Sequence, residues 1–349
     1  MAILINPYRF AAVGDVNPHW QELGRTTLGV AGDTISVTGL ETKPYMMIIP
    51  YVYDTGSSQV YGQGTFNGDT GGNYANRWSS NGGSDTTEGS ASSMRTYFAG
   101  AAYGEFGLFN LMNVAAQEKI MLGGGVAADA TGAGTAPKRR EIVTKWANTT
   151  NAVSRFDYVN GGGGTFDTGS EVVVLGYDPS DEEGTSVWEE LKSVSLSSAA
   201  DSMDSGTFTA KKYLWVQIEY TATGGNLVNS VTFNSDSGSN YARRGSDNGG
   251  TDATDTSASK ISSGLNSDIN SGESAFFNMF IINKSDKEKL VIAELISTEA
   301  GTGAGNAPDR AEFVAKWTNT SSQITSIQVP DLSSGQYNTG SSIKVWGFD

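Results

Sequence analysis

The chain says nearly the same thing twice. "GAGTAPKRREIVTKWANT" (Gly132–Thr149) and "GAGNAPDRAEFVAKWTNT" (Gly303–Thr320) agree at 12 of 18 positions, 171 residues apart. Agreement over that length marks one structural unit present twice, and it limits every reading of the fold to an architecture that can be doubled. The correspondence runs well beyond this stretch. "WQEL" at Trp20–Leu23 matches "WEEL" at Trp188–Leu191, and "FNGDTGGNYANR" (Phe66–Arg77) matches "FNSDSGSNYARR" (Phe233–Arg244). "TGSEVVVLGYD" (Thr168–Asp178) matches "TGSSIKVWGFD" (Thr339–Asp349). The offset drifts between 167 and 171, and only inside Gly/Ser/Asp-rich segments, where insertions fall in surface loops.

The repeat divides the chain into a first domain at 20–179, a polar joint at 180–187 and a second domain at 188–349. Residues 1–19 belong to neither copy. They carry Ile3, Leu4, Ile5, Tyr8 and Phe10, too apolar for a free tail, and read as a docking arm. Within each copy the apolar runs are short and alternate. In "YLWVQIEY", Leu214, Val216 and Ile218 point one way and Trp215, Gln217 and Glu219 the other. In the opening stretch Ile142, Thr144 and Trp146 share a face, as do Phe313, Ala315 and Trp317. The opposite face carries Arg139, Glu141 and Lys145, matched by Arg310, Glu312 and Lys316, and reads as a solvent-side ladder of ion pairs. Gly makes up 44 of 349 residues, about 13% against a typical ~7%, as expected for many short strands joined by turns. Each copy of roughly 160 residues has room for about eight strands. The fold class predicted is all-β: two tandem jelly-roll-like antiparallel β-sandwich domains.

Composition removes several functions. With 23 basic and 38 acidic side chains the net charge is −15, which repels phosphate and disfavours nucleic-acid binding. There is no Cys, so thiolate chemistry and disulfides are absent, and the single His, His19, lies outside both copies. The start "MAILINPYRF" lacks the charge and cleavage pattern of a signal peptide, and no stretch approaches 18 apolar residues, so no membrane span is predicted. "TGAGTAP" and "TGAGNAP" contain Gly-x-Gly without the strand–helix context or the Gly-Lys-Ser of a phosphate loop.

Two loops offer candidate binding groups. "NGDTGGNYANRWSSNGGSD" and "NSDSGSNYARRGSDNGGTD" hold Asp69, Asp85, Asp236, Asp247 and Asp252, but not the spacing of a twelve-residue calcium loop closed by Glu. Asn, Asp and Gly in such loops serve tight turns and positive φ. Trp78 and Tyr74 could stack on a sugar, though copy two has Gly245 where Trp78 aligns. Trp146 and Trp317 read as core anchors. No catalytic, cofactor-binding or metal residue is assigned, no cofactor is expected, and no binding residue is named.

The motif Phe-Asn-x-Asp-x-x-x-Asn-Tyr is present as Phe66, Asn67, Asp69, Asn73, Tyr74 and again as Phe233, Asn234, Asp236, Asn240, Tyr241. It is followed by Trp-x-Asn-Thr (Trp146, Asn148, Thr149; Trp317, Asn319, Thr320) and a closing strand from Gly169-Ser170 to Gly176-Tyr177, or Gly340-Ser341 to Gly347-Phe348. This set resembles a β-sandwich domain found in virion proteins of tailed bacteriophages, marine ones especially. The resemblance spans both copies and not residues 1–19. It implies a non-enzymatic virion part on the outer surface of the particle, of tail-fibre or head-decoration type, and transfers no catalytic residue. Expected partners are other virion proteins through residues 1–19, further copies of the chain in a homo-oligomer, with a trimer the expected state, and a host-surface glycan. Two alternatives stand beside it: a double jelly-roll major capsid protein and a free carbohydrate-binding protein.

Overall fold

A computed structural model describes residues 19–54, 60–96, 103–181, 184–263, 269–298 and 303–349. The expected docking arm lies outside these residues apart from His19. All regular structure among them is strand, and every ladder is antiparallel. Among the described residues no helix is long and apolar enough to cross a membrane. Two compact units emerge: Met1–Asp129 with Arg139–Trp188, and Ala130–Lys138 with Glu189–Asp349.

The first unit contains β1 (Gln21–Thr27), β2 (Thr34–Thr38), β3 (Tyr45–Val52), β4 (Gly62–Phe66), β5 (Tyr74–Ser80), β6 (Thr86–Ala91), β7 (Glu105–Met112), β8 (Lys119–Ala127), β9 (Lys138–Trp146), β10 (Arg155–Asn160) and β11 (Glu171–Tyr177). Eight form one sheet in the order β1-β11-β3-β7-β8-β9-β5-β6, and three form a second, β2-β10-β4. One apolar cluster joins them: Ile35, Val37, Phe66 and Phe156 from the small sheet meet Ile48, Phe109, Ile142 and Val174 from the large one. Two sheets sharing one core make a sandwich. Among the described residues the strands number eleven, and the layers are unequal, where the length of a copy gave room for about eight.

The second unit contains β12 (Glu189–Ser195), β13 (Ser202–Asp204), β14 (Tyr213–Thr223), β15 (Ser230–Phe233), β16 (Tyr241–Asp247), β17 (Ala253–Ala258), β18 (Ile261–Ser262), β19 (Ser274–Ile282), β20 (Lys289–Ser297), β21 (Asp309–Trp317), β22 (Ile327–Pro330), β23 (Gln336–Tyr337) and β24 (Ser342–Phe348). Its large sheet runs β12-β24-β14-β19-β20-β21-β16-β17, and its small one β13-β22-β15-β18. Leu214, Val216 and Ile218 enter its core as the alternation predicts. Trp215, on the other face of the strand, is also buried. It stacks on Phe280 at 5.1 Å and donates its indole N–H to Asn278 at 2.6 Å.

A size exchange across one strand pair distinguishes the units. Trp78 faces Ile142 across β5 and β9, and Gly245 faces Phe313 across β16 and β21. A Cβ at Gly245 would lie 2.3 Å from Phe313 Cβ and 2.6 Å from the Glu312 carbonyl oxygen. The backbone comes too close there for any side chain, so the missing Trp in copy two follows from packing and not from a lost ligand.

Candidate functional site

The Asn/Asp-rich loops hold the candidate ligand groups, and Asn67, Asp69 and Asn73 in the first and Asp236 and Asn240 in the second are bound internally. After β4 the chain turns through Asn67 (φ 52°), a left-handed conformation that Asn tolerates. The Asn67 amide oxygen accepts the backbone N–H groups of Ser154 at 2.9 Å and Arg155 at 3.1 Å. Asp69 then collects donors: Gly71 N–H at 2.9 Å, the Asn73 amide at 2.9 Å and the Trp146 indole N–H at 2.7 Å. Burial pushes the Asp69 carboxyl up, but these three donors outweigh it and hold its pKa below the usual carboxylate value. The Tyr74 hydroxyl accepts Phe66 N–H at 2.8 Å and donates to the Asp69 carbonyl at 3.1 Å. Phe66, Tyr74 and Trp146 pack ring on ring beneath, the last two stacked at 6.4 Å.

The second unit repeats this lock atom for atom. Asp236 accepts Gly238 N–H at 2.8 Å, the Asn240 amide at 2.9 Å and the Trp317 indole at 2.7 Å. Tyr241 bridges Phe233 N–H at 2.9 Å and the Asp236 carbonyl at 3.1 Å. The motif behind the resemblance therefore ties the small sheet to the large one through a buried Trp. A lysine closes each lock. Lys119 donates to the carbonyls of Ala115, Gln117 and Asn148 and lies 5.7 Å from the Trp146 ring centre; Lys289 does the same with Ser285, Lys287, Asn319 and Trp317. Burial pulls Lys289 down to about 8 and moves Lys119 in the same direction. Three carbonyl acceptors nevertheless suit an ammonium, since a neutral amine has only two N–H donors.

Several site readings change accordingly. Tyr74 is buried inside the lock and has no face to offer a sugar. Trp78 is half-buried against the core, with the Arg140 guanidinium 5.6 Å from its ring. Asp85 pairs with Arg77 at 3.3 Å. Among the described residues no group of three His, Asp or Glu is placed to share a metal ion. Trp146 and Trp317 are core residues, as their spacing predicts.

The charged faces of β9 and β21 also differ from the solvent-side ladder expected. Glu141 and Lys145 are exposed, but Arg139 is buried, with its guanidinium on the Glu141 carboxylate. In β21 Lys316 is fully buried. Alternation assigns a residue to a face; it does not say whether something else covers that face.

Among the buried titratable groups of the first unit, one carboxyl is held against its charge. Glu105, at the start of β7, accepts the Tyr158 hydroxyl from β10 at 2.6 Å. Burial pushes its carboxyl up to about 7, against the Tyr158 hydrogen bond, the Arg140 charge and a Gly62 backbone contact. Gly62 makes room for the tyrosine: a Cβ there would lie 1.8 Å from Tyr158 Cζ. Glu105 has the proton affinity of a general acid, but it faces the core rather than a cleft.

The open surface lies elsewhere. The outer face of the first unit's large sheet has a groove of about 750 Å³, lined in part by Tyr45, Arg77, Gly89, Ile120, Val143 and Lys145. Ile120 is 52% and Val143 50% exposed. A Lys145–Glu118 ion pair of 3.1 Å stands beside them. Contiguous apolar surface rimmed by charge is what an interaction face looks like. One signal in the sequence marks it: Val143 sits between Glu141 and Lys145 on the face assigned to solvent.

No protein-family model matches the chain, and no curated protein matches it. Among solved structures it is similar to domains LG4-5 of the mouse laminin α1 chain, at 10% identity and a TM-score of 0.18, covering 96% of this chain and 92% of that one. It is also similar to the LG1-3 region of the laminin α2 chain, at 9% identity and a TM-score of 0.21, covering 90% and 64%. Likeness of that size carries no argument about function.

Proposed function

We propose that the protein is a non-enzymatic structural component of a tailed-phage virion, displayed on the outer surface as a tail-fibre or head-decoration part. The observation that carries this reading is the use of the shared motif. Phe66, Asn67, Asp69, Asn73 and Tyr74, and their counterparts from Phe233 to Tyr241, form a hydrogen-bonded lock over a buried aromatic base in both copies. The residues that resemble virion proteins are thus those that make the sandwich rigid. Of the polar groups with chemistry to offer, Glu105 faces the core and the two lock aspartates are taken up by internal donors. What is left outside is a strongly acidic surface with an apolar groove on the first unit, which suits packing against neighbouring chains on an array. Many weak contacts of that kind sum to firm attachment. Residues 1–19 would dock the chain on the particle, and the chain itself would form a homo-oligomer.

The test is the copy number of this chain in purified virions, by quantitative mass spectrometry against the main shell protein. A few to a few dozen copies are expected for a tail or vertex part. Hundreds would move it to the shell, as decoration or as a double jelly-roll tile. Absence from clean particles would overturn the virion reading and leave glycan binding to be tested on an array.

A further inference from the structure

The two copies of the Gly-Ala-Gly loop have the same sequence pattern, the same succession of turns and opposite surroundings. Residues 130–138 belong to the second unit. There Gly132 N–H donates to the Glu288 carboxylate at 2.5 Å, and Lys316 Nζ donates to the Ala130 carbonyl at 2.5 Å. Ser257 N–H, on the edge strand β17, donates to the Ala133 carbonyl at 2.8 Å. The Arg244 guanidinium donates to the Pro137 carbonyl at 2.8 Å. Ala133 and Ala136 are 8% and 7% exposed. The loop thus has a receptor: an edge N–H, a Lys–Glu pair and an Arg on one sheet face.

The counterpart of the loop is Gly303–Pro308. It shows the same bend and turns, with Gly303 at φ 91° against Gly132 at 78°. Yet Ala304, Ala307 and Pro308 are exposed. The counterpart of the receptor is also complete. Glu118, Lys145, Arg77 and Ser90 correspond to Glu288, Lys316, Arg244 and Ser257. Ser90 lies on the edge strand β6 at φ 51°, as Ser257 does on β17 at φ 48°. This receptor is open: Val143 is 50% exposed where Val314 is 2%, and the Lys145 side chain 50% where Lys316 is 0%. Each chain therefore carries one engaged loop and receptor, and one of each exposed.

We propose that the exposed loop Gly303–Pro308 of one chain docks on the exposed β5–β6–β8–β9 face of a second copy, repeating the contact already made inside the second unit. Gly303 N–H would reach Glu118 of the other copy, the Ala304 carbonyl would take the Ser90 N–H, and the Pro308 carbonyl the Arg77 guanidinium. Loop and face are different surfaces, so the contact is head-to-tail and closes as a ring or continues as a filament. The proposal supplies a contact for the homo-oligomer in the reading above, but it rests on the two copies and not on the virion. Copy number tests that reading; the experiment below tests this one.

The chain has no Cys, so introduced thiols report without background. Ala304→Cys chains mixed with Ser90→Cys chains should give covalent dimers with a short bismaleimide. Neither variant alone should link as well. An Ala133→Cys/Ser257→Cys chain, linking internally, is the positive control. Wild-type protein should sediment as an assembly at micromolar concentration, and Val143→Glu or Ala307→Glu should return it to monomer with an unchanged circular-dichroism spectrum. Mixed chains that stay unlinked while the control links would overturn the proposal. So would a wild type that sediments as a monomer, or an assembly that Val143→Glu and Ala307→Glu both leave intact. Should a glutamate variant fail to fold, the cross-linking result decides alone.

Discussion

At the scale of single residues, the two lock aspartates show how a motif that suggests a ligand can be structural. Asp69 and Asp236 each accept a Trp indole, an Asn amide and a Gly N–H. Removing the carboxylate leaves a buried indole N–H without a partner, a cost of about 1–3 kcal/mol. Asp69→Ala and Asp236→Ala should each lower the stability of their own unit by roughly 2 kcal/mol. Asp69→Asn should cost less, since its amide oxygen still accepts the indole. Urea unfolding followed by Trp fluorescence measures this. The pH dependence follows from the direction of the shift. Both carboxyls are held below the ordinary aspartate value, so their contribution is present above the unfolded pKa and is lost as pH falls through the folded one. Equal stability of Asp69→Ala and wild type at neutral pH would show that the loop, and not the lock, places Trp146.

At the scale of strands, β9 shows what the sequence carries and what it does not. The placement of Ile142, Thr144 and Trp146 toward the core is legible from period-two alternation alone. The burial of Arg139 and Lys316 is not: the first rests its guanidinium on a carboxylate two residues away and the second its ammonium on a loop carbonyl from Ala130, and alternation records neither. The sheet order is equally hidden: β1 pairs with β11, and nothing local to either strand records a partner some 150 residues away. The Glu105–Tyr158 bond between β7 and β10 belongs to this hidden class and gives a prediction. Its folded pKa, about 7, is raised above an ordinary value of 4.5. A raised carboxyl stabilises the fold while protonated, so its contribution is full below the unfolded pKa and is lost as pH rises through about 7. Between those values stability should fall by on the order of 3 kcal/mol. Glu105→Gln keeps an acceptor for Tyr158 and carries no charge. It should flatten that slope and leave the variant more stable than wild type at alkaline pH, as urea midpoints on either side of neutrality would record. A wild-type slope that survives in Glu105→Gln would place the titration on another group.

At the scale of the whole molecule, the repeat in the sequence announces two sandwiches. It gives no hint that residues 130–138, inside the first copy, are built into the second unit. The two loops share Gly-Ala-Gly and Ala-Pro, so what separates them is the neighbour each one meets. Net charge sets the terms on which further neighbours are met. Each chain carries −15, and like chains brought together on a face tens of ångströms across repel one another over the Debye length, ~30 Å at 0.01 M salt and ~10 Å at 0.1 M. The proposed contact depends mainly on apolar burial at Ala304, Ala307, Ile120 and Val143, and on bonds between charged groups and backbone, which salt screens less once they are covered. Repulsion between whole chains is therefore the larger salt-dependent quantity. Raising NaCl from about 0.01 M to about 0.1 M at fixed protein concentration should shift sedimentation toward the assembled form, and Val143→Glu should remain monomeric throughout. Dissociation on adding salt would mean that exposed ion pairs such as Lys145 with Glu118 hold the chains together, and that the apolar groove is not where they meet.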